Sequence, residues 1–170
     1  MPQVQLVDNS GSVDAGALVR AAGNSVPELI KLLKHPDARV RTSAAFALGL
    51  MEARAKSAIL SLIPLLQDSD RWVRSNAAWA LGWMGESGKS AIPSLIPLLK
   101  DSDVNVRTSA AVAFGRMGEG GKSAIPSLIP LLKDSDAVVR SQAAFSLRLM
   151  GEHGKSAIPS LIPLLKDSYR

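Results

Sequence analysis

A chain of 170 residues, 46% hydrophobic and 21% charged, has the size and composition of one ordinary domain with a buried core, which excludes intrinsic disorder. Aromatic residues make up only 4%, so the core is built from Leu, Ile, Val, Met and Ala, which favours packed helices over a β-sandwich. There is no Cys, which removes a disulfide framework, a thiolate metal site and cysteine catalysis, and His35 with His153 is too little for a histidine-rich metal centre.

Twenty Lys and Arg face fifteen Asp and Glu, a net charge of +5. The excess is diffuse. Residues 20–56 carry seven bases against three acids, residues 57–89 three of each, and residues 90–122 and 123–155 four against three. No apolar run approaches the roughly eighteen residues that a membrane-spanning helix needs. The first fourteen residues have neither a basic nor an apolar leader region. A cytoplasmic protein with no membrane contact is expected, and no cofactor is indicated.

In chain order, residues 1–12 read as a mobile segment or a peripheral cap. Residues 13–23 read as a degenerate capping helix, with Gly16 and Leu18 in register with Gly49 and Met51. From residue 24 the chain repeats. Asp37, Asp70, Asp103 and Asp136 recur every 33 residues, as do Arg41, Arg74, Arg107 and Arg140, and Met51, Met84, Met117 and Met150. The segment SAIPSLIPLLKDSD stands unchanged at 90–103 and 123–136. The units are 24–56, 57–89, 90–122 and 123–155, followed by a half unit, 156–170; together, 24–170 form the repeat domain.

Each unit predicts two helices. The first opens on a Ser N-cap such as Ser90, carries Pro93 in its first turn, and is kinked at Pro64, Pro97, Pro130 and Pro163, where the ring removes a helical hydrogen bond. The second opens on an Asp N-cap, Asp103 in the third unit, and runs to Met117 before the Gly118-Glu-Gly-Gly turn. Helix pairs stacked side by side give an all-α fold, an α-solenoid of about four and a half units, each burying its apolar face only against its neighbours. The half unit leaves Ile158, Leu161, Ile162 and Leu165 without a second helix. It serves as a lid over the fourth unit, or the chain is a fragment, or its edge pairs with another copy, and a monomer or a weak homo-oligomer is expected.

The pattern D-x-x-V-R-x-x-A-A-x-A-L-G-x-M-G at 70–85, preceded by an A-I-P-x-L-I-x-L-L helix, resembles HEAT-like repeats of the phycobilisome-lyase type. The resemblance covers about 24–170 and implies a curved, armadillo-like superhelix with the second helices on its concave side. Ankyrin and tetratricopeptide signatures are absent. Relatives of this type handle tetrapyrroles on phycobiliproteins, usually with a partner subunit, yet no bilin site is identifiable here. The HEAT-like enzymes make demands this chain does not meet. A deoxyhypusine hydroxylase needs repeated His-Glu pairs for its di-iron centre, and an alkylbase glycosylase needs a catalytic acid among its aromatic residues.

Comparison of the units with one another locates the candidate site. At about 100° per residue, Val73, Ala77, Leu81 and Met84 form one apolar stripe, and Arg74, Ala78 and Gly82 form a second; both are largely constant among units. The differences gather at Trp72, Asn76, Trp79 and Trp83, on one face of the second helix. Their counterparts include Arg39 and Phe46 in the first unit, Asn105 and Arg116 in the third, and Gln142, Phe145 and Leu149 in the fourth. A copied scaffold with one diversified stripe is the pattern of a modular binding surface, and Trp and Arg are enriched at dominant interface positions.

The expected function is a non-catalytic scaffold that binds a protein or peptide on this stripe. The alternative is an accessory subunit of a bilin lyase or a phycobilisome-handling factor, and nucleic-acid binding ranks third. The aromatic rings could instead pack laterally between units. Gly85-Glu-Ser-Gly88-Lys89-Ser90 lacks the spacing of a phosphate-binding loop and reads as a helix-ending turn. The Arg41, Arg74, Arg107 and Arg140 series, each four residues after an Asp N-cap, reads as an ion-pair ladder with the Asp of one unit near the Arg of the same or the next unit.

Overall fold

The computed structural model describes residues 15–23, 25–159 and 162, and every regular element among them is helical. After α1 (Ala15–Ala22) come α2 (Val26–Leu32) and the long α3 (Ala38–Leu50). Short first helices then alternate with long second helices: α4 (Ile59–Leu62), α5 (Arg71–Trp83), α6 (Ile92–Leu95), α7 (Val104–Arg116), α8 (Ile125–Leu128) and α9 (Ala137–Leu149). The architecture is an all-α solenoid of tandem helix pairs.

The long helices start where an Asp side chain accepts backbone N–H groups left over at the first turn. Asp70 takes those of Trp72 and Val73, Asp103 those of Asn105 and Val106, Asp136 those of Val138 and Val139, and Asp37 that of Arg39. The stripe Val73, Ala77, Leu81 and Met84 is fully or almost fully buried, as are its counterparts in α3, α7 and α9. In α7 the Leu position holds Phe114, so the third Phe of the chain belongs to the core. Burying such a side chain is worth roughly 1.5–3 kcal/mol, which makes this stripe the main source of cohesion.

The long helices end on a left-handed residue: Gly85 (φ +59°), Gly118 (φ +55°) and Gly151 (φ +58°), but Glu52 (φ 51°) after α3. Only Gly takes that conformation without a steric cost. Glu52→Gly is therefore expected to stabilise the chain by about 1 kcal/mol, seen as a higher urea midpoint at unchanged slope; an unchanged midpoint would contradict the strain.

The first helices are less regular than the sequence suggests. α2 is a continuous two-turn helix, but α4, α6 and α8 are each a single α turn between two 3₁₀ segments, as in Gly85–Ala91, α6 and Ile96–Lys100. Pro64, Pro97 and Pro130 sit where the α turn passes into the trailing 3₁₀ segment, so the predicted kink is realised as a change of helix type. Pro163 lies outside the described residues. The Ser N-cap is not borne out. Ser90 is exposed within the 3₁₀ lead-in, Ala91 precedes α6, and no side chain caps it. The lead-in already supplies bonded backbone, so no cap is required.

Successive second helices pack through the small stripe. A Cβ on Gly82 would fall 2.9 Å from the Cβ of Ala113 and closer still to its Cα, and one on Gly115 would fall 2.8 Å from Ser146 Cα. In α9 the same register position holds Arg148. At the other end, α1 packs against α3, where the second helix of a preceding unit would stand. Ile158 and Ile162 of the half unit are 48% and 49% exposed, while Leu161 and Leu165 lie outside the described residues.

The arginine ladder exists, with a different carboxylate from the one expected. Arg74 Nε donates to Asp101 Oδ2 at 2.8 Å and its Nη2 to Oδ1 at 3.0 Å, and Nη1 binds the carbonyls of Asp68 and Ser69. Arg41 binds Asp68 and Arg107 binds Asp134 in the same bidentate way. The Asp N-caps are occupied by their own helices, so the partner is the aspartate 27 residues ahead, in the next unit's inter-helix turn. Asp68, Asp101 and Asp134 also accept the N–H of Asp70, Asp103 and Asp136, which fixes each turn. In the first unit His35 Nδ1 takes that role for Asp37 N. Arg140 keeps the carbonyl contacts, to Asp134 and Ser135.

Candidate functional site

The varied positions point away from the core along the second helices, and they fall into three groups. Four of them form a continuous stack across three helices. Phe46 of α3 stacks on Trp79 of α5, with centroids 5.0 Å apart and 24° between planes. Trp79 meets Trp83, one turn on, at 5.2 Å. The Arg116 guanidinium of α7 lies 3.4 Å from the centre of the Trp83 ring. Gly49 allows this: a Cβ there would fall 2.8 Å from Trp79 Cε3, so the indole lies on the bare backbone of α3. Lateral packing thus accounts for part of the aromatic content, with Trp79 and Trp83 half-buried. Phe46 remains 45% exposed at the open end of the stack.

A second group lies between α7 and α9. Arg116, Gln142, Phe145 and Leu149 line a groove of about 280 Å³ together with Val112 and Ser146. The groove is open because α7 has Val112 where α5 has Trp79 and α3 has Phe46, so no ring from α7 reaches Phe145. Phe145 and Leu149 are 46% and 42% exposed. The buried Ser146 Oγ has no hydrogen-bond partner, nor has Trp83 Nε1. A wider groove of about 440 Å³ runs along the C-terminal ends of these helices, past Glu52, Trp83, Arg116 and Leu149.

The third group lies towards the N-terminal ends. Trp72, 49% exposed, shares a shallow depression with Arg39, Ser43 and Asp70. Arg39 is held by Asp37, with Nη2 at 2.6 Å from Oδ2, and this contact takes the Asp37 carboxyl down to about 2. The Asn76 amide donates back to Trp72 O at 2.9 Å, so its side chain is engaged within its own helix. Asn105 is exposed and lies in neither groove.

Three residues at this face escaped the sequence comparison. Arg71 lies 5.4 Å from the Trp72 ring centre and reaches Asp103 at 3.3 Å. Arg148 lies 4.7 Å from the centre of the Phe145 ring. Ser146 replaces the Ala80 and Ala113 of earlier units. Arg148 was detectable, being the one departure from Gly in the series Gly49, Gly82, Gly115. Among the described residues, no group of three His, Asp or Glu side chains is placed to hold a metal ion, and no helix is long and apolar enough to cross a membrane.

Stacked helix pairs with a constant interior and one diversified face define a helical-repeat protein. A family profile of HEAT repeats matches residues 26–115 and 92–170, and the chain belongs to that family. Among solved structures it is similar to an engineered protein, at 26% identity over 88% of this chain and 72% of that chain, with a TM-score of 0.66. It is also similar to the complex of CpcE and CpcF of phycocyanin lyase from Nostoc sp. PCC7120, at 26% identity and a TM-score of 0.63. That match covers 79% of this chain and 55% of that one. A designed armadillo repeat protein in complex with the peptide (KR)4 shares the fold, at 21% identity, 88% and 77% coverage and a TM-score of 0.67. No curated protein matches the chain significantly.

Proposed function

We propose that this chain is a non-catalytic scaffold that holds a protein or peptide on the concave face formed by its second helices. The observation that carries the reading is the concentration of unit-to-unit differences on one face where rings stay half-exposed beside arginines, while the buried stripes hardly change. Exposed aromatic clusters of this kind mark interaction sites more often than bare surface. The test is selection of binders from a randomised dodecapeptide library. Trp72→Ala and Phe145→Ser are expected to weaken the selected peptides about tenfold or more. Leu60→Ala, which removes a 78% exposed side chain from a first helix, is expected to leave them unchanged. Equal effects of all three substitutions would contradict the reading.

A second reading narrows the partner, and of the structures described above the phycocyanin lyase complex lends it the most. In it the chain is an accessory subunit that docks on a phycobiliprotein or on a second lyase subunit during bilin attachment or removal. An absorbance shift of a bilin on mixing with the chain and a phycobiliprotein subunit supports it. Failure to bind either component counts against it and leaves the general scaffold reading standing.

A further inference from the structure

We propose that the groove between α7 and α9 is an anchor for an acidic side chain of the bound peptide, a Glu or Asp carboxylate set beside an aliphatic or aromatic neighbour. This rests on the reading of the second-helix face as the binding surface. The charges of that face carry the argument. Of the arginines at that face, Arg39 and Arg71 each have an aspartate partner. Among the described residues Arg116 and Arg148 have no carboxylate partner; each lies against a ring instead, Arg116 on Trp83 and Arg148 on Phe145. Arg116 lines the groove between α7 and α9, Arg148 lies on the ring of Phe145 that lines it, and no Asp or Glu is among the lining residues.

A guanidinium whose centre lies 3.4 Å from a ring centre uses its face on the ring and keeps the N–H edge for hydrogen bonding, the fork that a carboxylate accepts in two parallel bonds. The rest of the lining suits a neighbouring apolar side chain: Val112, Phe145 and Leu149 supply the apolar wall, and Gln142 offers an amide that can donate or accept. The buried Ser146 hydroxyl with no partner adds a polar group that a ligand or a water relaying to it would satisfy. The depression at Trp72 lacks these properties, since its Arg39 already pairs with Asp37 and Asp70 is among its lining residues.

The test uses the full chain and a randomised dodecapeptide display library. Wild type is expected to enrich Glu or Asp next to Leu, Ile, Phe or Trp. R116Q is expected to lose the acidic preference and keep the apolar one, and R116E to shift it to Lys or Arg. A synthetic peptide from the wild-type selection is expected to bind R116Q about tenfold more weakly. Its Gln-for-Glu analogue should lose a similar factor on wild type and nothing further on R116Q. Arg116 is exposed, and unchanged melting curves confirm that the variants fold. Apolar enrichment without acidic preference, or acidic preference that survives R116Q, overturns the carboxylate anchor and leaves the scaffold reading intact. A phosphoserine analogue that binds more tightly than the Glu peptide also overturns it. Selected peptides insensitive to both R116Q and Phe145→Ser bring down the scaffold reading with it.

Discussion

Gly82→Val is expected to cost about 3 kcal/mol or more and to lower the melting temperature by roughly 10 °C. The position is one residue before the end of α5, where the helix rests on the backbone of Ala113 in α7. A β-branched side chain there meets main chain, which cannot turn aside as a flexible side chain would, so α5 and α7 must move apart along their length. In a solenoid each unit is held only by its neighbours, so a weakened interface lowers the coupling between the two halves. Broadening or splitting of the urea transition should therefore accompany the lower midpoint. Gly82→Ala should behave the same way with a smaller loss. A Gly82→Val protein as stable as wild type would mean that the second helices do not approach as closely as described.

Arg107→Ala is the other large effect, a loss of about 2–3 kcal/mol. Its guanidinium and Asp134 are 12% and 13% exposed, and removing it leaves a poorly solvated carboxylate and the carbonyls of Asp101 and Ser102 short of a donor. The pH dependence follows from the same contact. Arg107 holds the Asp134 carboxyl below the ordinary aspartate value, against a smaller upward push from burial. At Asp101 burial pushes upward most strongly, yet Arg74 and the Asp103 amide together bring the carboxyl below its ordinary value; Asp68 behaves likewise with Arg41 and the Asp70 amide. A carboxylate with a lower pKa in the folded than in the unfolded chain stabilises the fold above the unfolded value, about 3.9, and that stability is lost as pH falls through the folded value. Melting temperature should thus stay level from pH 7 to about pH 5 and fall steeply below about pH 4. The fall should be shallower in Arg107→Ala, and parallel curves would contradict the ladder.

The period of 33 residues made the helix pairs, the Asp caps and the buried stripe legible, because each is set by local chemistry repeated in register. The ladder's partner was not legible for the same reason. Asp68, Asp101 and Asp134 recur with the same period as the capping aspartates, and periodicity alone cannot say which carboxylate an arginine meets. The composite first helices were half legible. Proline marks where the α turn stops, but nothing in SAIPSLIPLLK announces that the residues before it are already 3₁₀. At the candidate site, helical spacing grouped Trp79, Trp83 and Arg116 on one face correctly. That the Trp79 ring lies sideways on α3 depends on Gly49, thirty residues before it in the preceding unit, and that the groove is open depends on the small size of Val112. Those are properties of neighbours brought together by stacking.

All three Trp residues belong to the varied face, so their indole N–H signals report directly on whether that face is where ligands bind. The decisive measurement is a ¹⁵N-resolved NMR titration of the full chain with a library-selected peptide. Binding at the varied face predicts shifts of the Trp83 indole and of the Arg116 side-chain N–H, with amides of residues 89–91 and 122–124 in the 3₁₀ segments unmoved. Binding that leaves all three indoles and Arg116 unmoved while signals of the 3₁₀ segments shift would contradict it.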